Sequence, residues 1–163
     1  MSLNTNETQS AFFYVDCNPS KGTWVDIDED TTLDDVRSAL AEACLILLDE
    51  GGEPDYDGDI LVAGTSGNLA HEYLKSSGVF DLDGFVEAMH VVYRNKIDVD
   101  AMAAWVSGNG MPSDFMEFYQ GHYDSEENFA EEWADEIGLL DSCSVVVRMH
   151  FNYESYARDL FLD

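Results

Sequence analysis

Apolar and polar residues in the first third of the chain follow patterns typical of a small α+β domain. Residues 11–17 (AFFYVDC) predict a strand, and residues 23–27 (TWVDI) predict a second strand that returns through the turn at 18–22 (NPSKG). A T-x-x-D capping box at Thr32 then opens an amphipathic helix, which should end by Gly51. The apolar face of this helix has residues spaced three and four apart: Leu33, Val36, Leu40, Cys44 and Leu47.

The middle of the chain changes to short helical patterns after a brief apolar strand at residues 60–63 (ILVA). Helices are predicted at about residues 68–76, 83–94 and 99–106, and no strand pattern stands out among them. The break at 107–110 (SGNG) ends this region.

The last third combines two further helices with one ambiguous apolar segment. A short helix is predicted around residues 114–119, and a strong one from about 125 to 137. The apolar stripe of the strong helix is Phe129, Trp133 and Ile137, with Ala130 and Ala134 beside it. Residues 145–151 either alternate like a strand or form one buried run, and a last helix follows through Phe161.

These patterns predict an α+β protein divided into three small domains. Residues 1–10 are expected to be a flexible leader, and residues 11–64 an N-terminal domain with a small antiparallel sheet and a helix. Residues 65–108 predict a middle bundle of short helices, and residues 109–163 a C-terminal α+β domain. The total length of 163 residues suffices for one average domain or for two or three very small ones.

Composition places this chain among folded, strongly acidic proteins. It has 34 acidic against 7 basic residues, a net charge of −27. Phosphate contacts need Lys and Arg, so direct binding to nucleic acid or to an anionic membrane is disfavoured. With 45% apolar residues the chain can bury a core. Three scattered cysteines and no apolar leader predict reduced thiols and a cytoplasmic location.

Common catalytic and metal-binding patterns find little support. Asp26, Asp28 and Asp30 have the spacing that opens a calcium loop, but Thr31 and Arg37 stand where Gly and Glu are needed. The histidines are scattered, and neither a nucleophile elbow nor a phosphate-binding loop is present. We therefore expect no catalytic residue, no metal and no cofactor.

The strong helix at 125–137 carries an unusual density of negative charge. Six acidic residues within residues 126–136, at about 1.5 Å rise each, give one charge per roughly 2.8 Å, against about 1.7 Å for duplex DNA. The candidate partner-binding surface comprises Asp124, Glu126, Glu127, Glu131, Glu132, Asp135 and Glu136. Two explanations stay open, mimicry of a nucleic acid and adaptation to strong salt; a plain solvated face is the simplest reading of an acidic helix.

Two long segments near the C-terminus closely resemble the ArdA antirestriction proteins. They are FMEFYQGHYDSEENFAEEWADEIGLL at residues 115–140 and FNYESYARDLFLD at residues 151–163. The resemblance weakens upstream but includes the hairpin with its Gly-x-Trp, although His150 and Asn152 depart from the usual residues. The second family motif consists of Phe151, Tyr153, Glu154, Tyr156, Ala157, Arg158, Asp159 and Leu160.

This resemblance implies a non-enzymatic, elongated α+β protein of three domains that is acidic, dimerises and is similar in shape and charge to bent B-DNA. Such a protein occupies the DNA-binding groove of type I restriction-modification enzymes and blocks restriction and modification of incoming DNA. The alternative is an acidic or halophilic protein-interaction module that keeps the fold without antirestriction activity.

Two structural expectations follow for the C-terminal third. Val145, Val147, Met149 and Phe151 are apolar residues at alternate positions, and they form either the two-fold contact of a homodimer or part of the domain core. Arg158 is expected to point inward, since an exposed cation would weaken an acidic surface. There it would pair with a helix-end carbonyl or with a carboxylate, of which Glu154 and Asp159 are the nearest candidates.

Overall fold

The computed structural model describes residues 8–15 and 18–162. Within these residues it shows a mixed α+β protein with a small antiparallel sheet and eight α-helices. The chain divides into two compact units between Tyr119 and Gln120. This division does not confirm the expected three-domain arrangement, because the sheet and the helices that follow it share one hydrophobic core.

The first unit is built on a three-stranded antiparallel sheet in which the first strand is central. The strands are β1 (Gln9–Val15), β2 (Gly22–Ile27) and β5 (Ile60–Ser66), in the order β2-β1-β5. Phe12 pairs with Trp24 in the register of β1 and β2, which confirms the predicted hairpin. The expected leader overlaps β1, which begins at Gln9; residues 1–7, and Asp16 and Cys17 of the predicted strand, lie outside the described residues.

Helix α1 (Leu33–Glu42) confirms the capping box but ends earlier than predicted. The Thr32 hydroxyl accepts a hydrogen bond from the Asp35 amide at 3.3 Å, and the Asp35 carboxylate accepts one from the Thr32 amide at 2.8 Å. Cys44 adopts a left-handed backbone conformation (φ 59°), which terminates the helix. Leu47 therefore belongs to a separate two-stranded ribbon, β3 (Leu47–Leu48) with β4 (Pro54–Asp55), and not to the helix face.

The predicted middle helices are present and pack against the sheet as part of the same core. They are α2 (Asn68–Glu72), α3 (Leu82–Asn95) and α4 (Val99–Ser107), followed by a 3₁₀ turn (Pro112–Asp114) and α5 (Phe115–Phe118). Buried side chains from the sheet and from these helices belong to one continuous cluster that includes Phe13, Leu69, Phe85 and Met102.

Gln9 links the sheet to α2 in a way that its sequence position does not suggest. Its side chain is almost fully buried, and its carbonyl oxygen Oε1 accepts a hydrogen bond from the Ala70 amide at 2.9 Å. Gly67, at φ 97°, precedes α2 and lies against the Gln9 side chain, where a Cβ would overlap it. The glycine is therefore required by both its backbone conformation and this close approach.

The second unit contains helices joined by turns, with no strand among its described residues, 120–162. The expected α+β character of the C-terminal region is therefore wrong there. It contains α6 (Glu126–Glu136), α7 (Val145–Met149) and α8 (Tyr153–Leu160), and α6 packs on α8. The ambiguous apolar segment forms α7 because the Ser144 hydroxyl accepts a hydrogen bond from the Val147 amide, at 3.4 Å, and caps the helix.

Candidate acidic interaction surface

Helix α6 is fixed to its unit through two small residues. Ser125 caps its N-terminus by accepting a hydrogen bond from the Asn128 amide at 3.1 Å. Ala130 and Ala134 are almost fully buried, whereas Phe129 and Trp133 are half-buried and Ile137 is exposed. The buried side of the helix is therefore centred on the alanines, which permit close packing on α8, and the predicted Phe129–Trp133–Ile137 stripe lies at its edge.

The acidic residues predicted as the partner-binding surface are all exposed. These residues are Asp124, Glu126, Glu127, Glu131, Glu132, Asp135 and Glu136. In the part of the chain that the structure describes, ion pairs join Arg37 to Asp34, Lys75 to Asp81 and Arg158 to Glu154, so none involves an acid of this set. The charges on α6 consequently face solvent, and the ion pairs among the described residues do not offset them.

Like charges also repel one another along α6. Three acidic pairs lie four residues apart: Glu127 with Glu131, Glu131 with Asp135, and Glu132 with Glu136. Each such pair weakens a helix by about 0.2–0.5 kcal/mol, and acids in the last turn oppose the helix dipole. The packing on α8 must therefore hold α6 in place against its own electrostatics.

The second family motif is divided between core and surface. Ala157 is buried, and the other apolar or aromatic members, Phe151, Tyr153, Tyr156 and Leu160, are half-buried. The Phe151 ring centroid lies 4.9 Å from that of Tyr153 and 5.6 Å from that of Tyr156. Glu154, Arg158 and Asp159 are exposed, so only these three charged members are free of the core.

Arg158 does not point inward, and that expectation is wrong. Its side chain is 66% exposed, and its Nη2 lies 3.8 Å from Oε1 of Glu154, one turn earlier in α8. The i,i+4 spacing on α8 brings the two side chains together, and both residues are exposed to solvent. This arginine forms a weak surface ion pair with one of its two expected partners.

Helix α7 exposes nearly all of its apolar surface. Val145, Val146 and Met149 are 70%, 66% and 76% exposed, and Val147 is also exposed. Among the alternatives for this segment, a place in the core is therefore wrong for Val145, Val147 and Met149, whereas Phe151 is half-buried. Arg148 anchors the helix by donating a hydrogen bond to the carbonyl oxygen of Asp141 at 2.6 Å.

Comparison with known protein families agrees with the resemblance carried by the two C-terminal segments. The family model described as antirestriction protein (ArdA) matches residues 19–163. The chain belongs to the ArdA antirestriction protein family. The match covers nearly the whole chain, and it confirms the resemblance carried by the two C-terminal segments. Neither the curated proteins nor the solved structures contain a match.

Membership of the ArdA family implies an antirestriction function and an interaction with type I restriction-modification enzymes. The family is one of inhibitor proteins rather than enzymes. In the described part of the chain, no helix has the length and apolar character needed to cross a membrane.

Asp28, the middle aspartate of the calcium-loop spacing, has a structural role in this ArdA chain. Asp28 Oδ1 accepts hydrogen bonds from the Asp30 amide at 3.1 Å and from the Thr31 hydroxyl at 2.7 Å, which closes the turn before α1. No group of three potential metal ligands occurs among residues 8–15 and 18–162. The spacing therefore reflects turn chemistry.

Two surface features were missed by sequence reasoning. Tyr123, Phe129 and Phe161 line an apolar groove near the N-terminal end of α6. In the first unit, Leu47 and Leu48 are exposed on the β3–β4 ribbon. The exposure of Leu47 was missed because the periodic pattern placed it on the apolar face of α1, whereas the helix ends before this residue.

Proposed function

We propose that this protein is a DNA mimic that occupies the DNA-binding groove of a type I restriction-modification enzyme and thereby blocks restriction and modification of incoming DNA. The observation that supports this most directly is the exposed, unpaired acidic face of α6. Because α6 packs through Ala130 and Ala134, its carboxylates are held at fixed positions, as the phosphates are in a DNA duplex.

Charge spacing favours a basic groove as the partner. Along α6 one acidic residue occurs per roughly 2.8 Å of helix axis, compared with about 1.7 Å per charge for duplex DNA. Lys and Arg side chains that bind phosphates can pair equally with carboxylates. The complex should therefore form quickly and weaken with added salt, since its formation releases condensed ions from both surfaces.

Self-association through α7 is the second part of the proposal. A helix whose valine and methionine side chains are exposed needs an apolar partner, and a second copy in an isologous arrangement provides one. Val145 and Met149, one turn apart on α7, would meet their counterparts, whereas Val147 lies on the other side of the helix. The contact would therefore be locally apolar between two anionic protomers.

The decisive experiment is competition for DNA. Purified protein is added to a panel of type I methyltransferase complexes bound to fluorescent duplexes that carry their recognition sites, and displacement is followed by anisotropy. The proposal requires displacement from at least one complex. Failure with every complex, together with folding that depends on molar salt, would support the haloadapted interaction module instead.

A matched pair of variants locates the acidic surface. Glu131→Gln/Asp135→Asn removes an exposed i,i+4 acidic pair from α6, and Asp83→Asn/Glu87→Gln removes a comparable exposed pair from α3. Both change the net charge by the same amount. Competition should weaken more for the α6 variant; equal weakening would mean that total charge, and not the α6 surface, determines binding.

A further inference from the structure

Leu47 and Leu48 are an exposed apolar pair that folding does not explain. They form β3, and their side chains are 80% and 56% exposed. Successive residues of a strand point to opposite faces, so a ribbon packed on one side would bury one of the two. Here both faces of the ribbon present a leucine to solvent.

The ribbon that carries these leucines is held in a defined conformation. Ile46, directly before β3, is buried in the core of the first unit. At the turn, Asp49 Oδ1 accepts hydrogen bonds from the amides of Gly51 and Glu53, both at 2.8 Å. The Asp49 amide donates to the Glu53 carbonyl at 2.8 Å, and Gly52 supplies the required positive φ of 86°. A partner would thus meet the leucines already in position.

The acidic residues around Leu47 and Leu48 restrict the kind of partner that can bind there. No Lys or Arg occurs between Arg37 and Lys75, whereas eight acidic residues do. Glu50, Glu53 and Asp55, next to the leucines, are exposed. A second copy of this chain, a nucleic acid or an anionic membrane would bring negative charge against them. The complementary surface is an apolar depression bordered by Lys and Arg on another protein.

Such a depression is what a DNA-binding groove offers. A protein that reads DNA contacts phosphates with basic side chains and places apolar side chains against the thymine methyl group between them. We propose that Leu47 and Leu48 insert into the basic DNA-binding groove of the type I enzyme, at the apolar positions where the enzyme contacts thymine methyl groups. The neighbouring carboxylates would take the positions of DNA phosphates. This inference rests on the proposed function and adds an apolar anchor to it.

The test compares apolar and charge substitutions in the same competition assay. Leu47→Thr/Leu48→Thr keeps β-forming residues and should weaken competition roughly tenfold, with little change in its salt dependence. Glu50→Gln/Glu53→Gln should instead reduce the salt dependence, because it removes charges. Leu47→Met/Leu48→Met should retain affinity, and Val79→Thr, at another exposed apolar position of the first unit, should have no effect.

The possible outcomes separate the inference from the function beneath it. Wild-type protein that displaces no DNA from any complex would remove both. If wild type competes and the Leu47→Thr/Leu48→Thr variant, with unchanged thermal unfolding, competes equally well, the leucine anchor is wrong and mimicry stands. An equal loss with Val79→Thr would also overturn the anchor, because the effect would then belong to any exposed apolar residue.

Discussion

Replacing Glu131 by Gln removes the charge at the centre of α6 while preserving its length and helix propensity. Glu131 lies four residues from both Glu127 and Asp135, so this single change relieves two like-charged pairs. All three residues are exposed, and the ion pairs found among the described residues include none of them. We therefore expect the substitution to stabilise the helix and, at the same time, to weaken inhibition.

The size of the stabilisation follows from pair energies and screening. Two relieved pairs at about 0.2–0.5 kcal/mol each give a gain of about 0.4–1.0 kcal/mol at low ionic strength. At about 1 M salt the screening length falls to about 3 Å, and the gain should nearly vanish. Glu154→Gln is the matched control, because it removes one charge from the same unit but breaks the contact with Arg158. That variant should lose about 0.3–0.5 kcal/mol.

Amide hydrogen exchange measures these changes locally. Peptides that cover α6 should exchange about two- to fivefold more slowly in Glu131→Gln than in wild type at low salt, and equally at high salt. Glu154→Gln should show faster exchange in α8. Equal or faster exchange of α6 in Glu131→Gln at low salt would refute the reasoning, since the acidic residues would then carry no electrostatic cost for function to explain.

Three further outcomes can be measured independently. Val145→Asp, at an exposed position in the first turn of α7, should leave folding intact but shift the protein to a monomer in sedimentation velocity. Hydrogen bonds from Thr32 hold the pKa of Asp35 below its usual 3.8. The ionised carboxylate therefore stabilises α1 above pH 3.8, and this contribution is lost as the pH falls through the lowered pKa. The substitution Asp35→Asn should consequently flatten the acid side of a plot of Tm against pH. Arg158→Ala should cost less than about 0.5 kcal/mol in urea unfolding, because its ion pair is exposed.

Local chemistry explains which parts of the fold could be predicted from the sequence. The hairpin of β1 and β2 and the capping box of α1 depend on residues at most a few positions apart, and both are confirmed. Exposure of the acids on α6 was equally predictable, because an unpaired carboxylate is too costly to bury. Each of these features depends on a rule that acts within one element.

Features decided by tertiary packing could not be predicted in the same way. Periodicity continued through Cys44, but the backbone turned there and freed Leu47. On α6 the spacing of Phe129, Trp133 and Ile137 predicts the buried side, but the close packing on α8 buries Ala130 and Ala134 instead. The segment at α7 fitted a strand as well as a helix, and the Ser144 cap is compatible only with the helix.

The two proposed contacts of this protein should respond to salt in opposite directions. Residues 120–163 contain eleven acidic and two basic residues, so a dimer formed through α7 brings like charges together and must be held by apolar burial. Added salt screens this repulsion and should strengthen the dimer. The contact between the acidic face and a basic groove loses affinity under the same conditions, because releasing condensed ions into a more concentrated salt solution gains less entropy. Sedimentation and DNA competition, measured on one protein across one salt series, therefore distinguish the apolar surface from the acidic one; parallel trends would show that one of the two surfaces is assigned to the wrong partner.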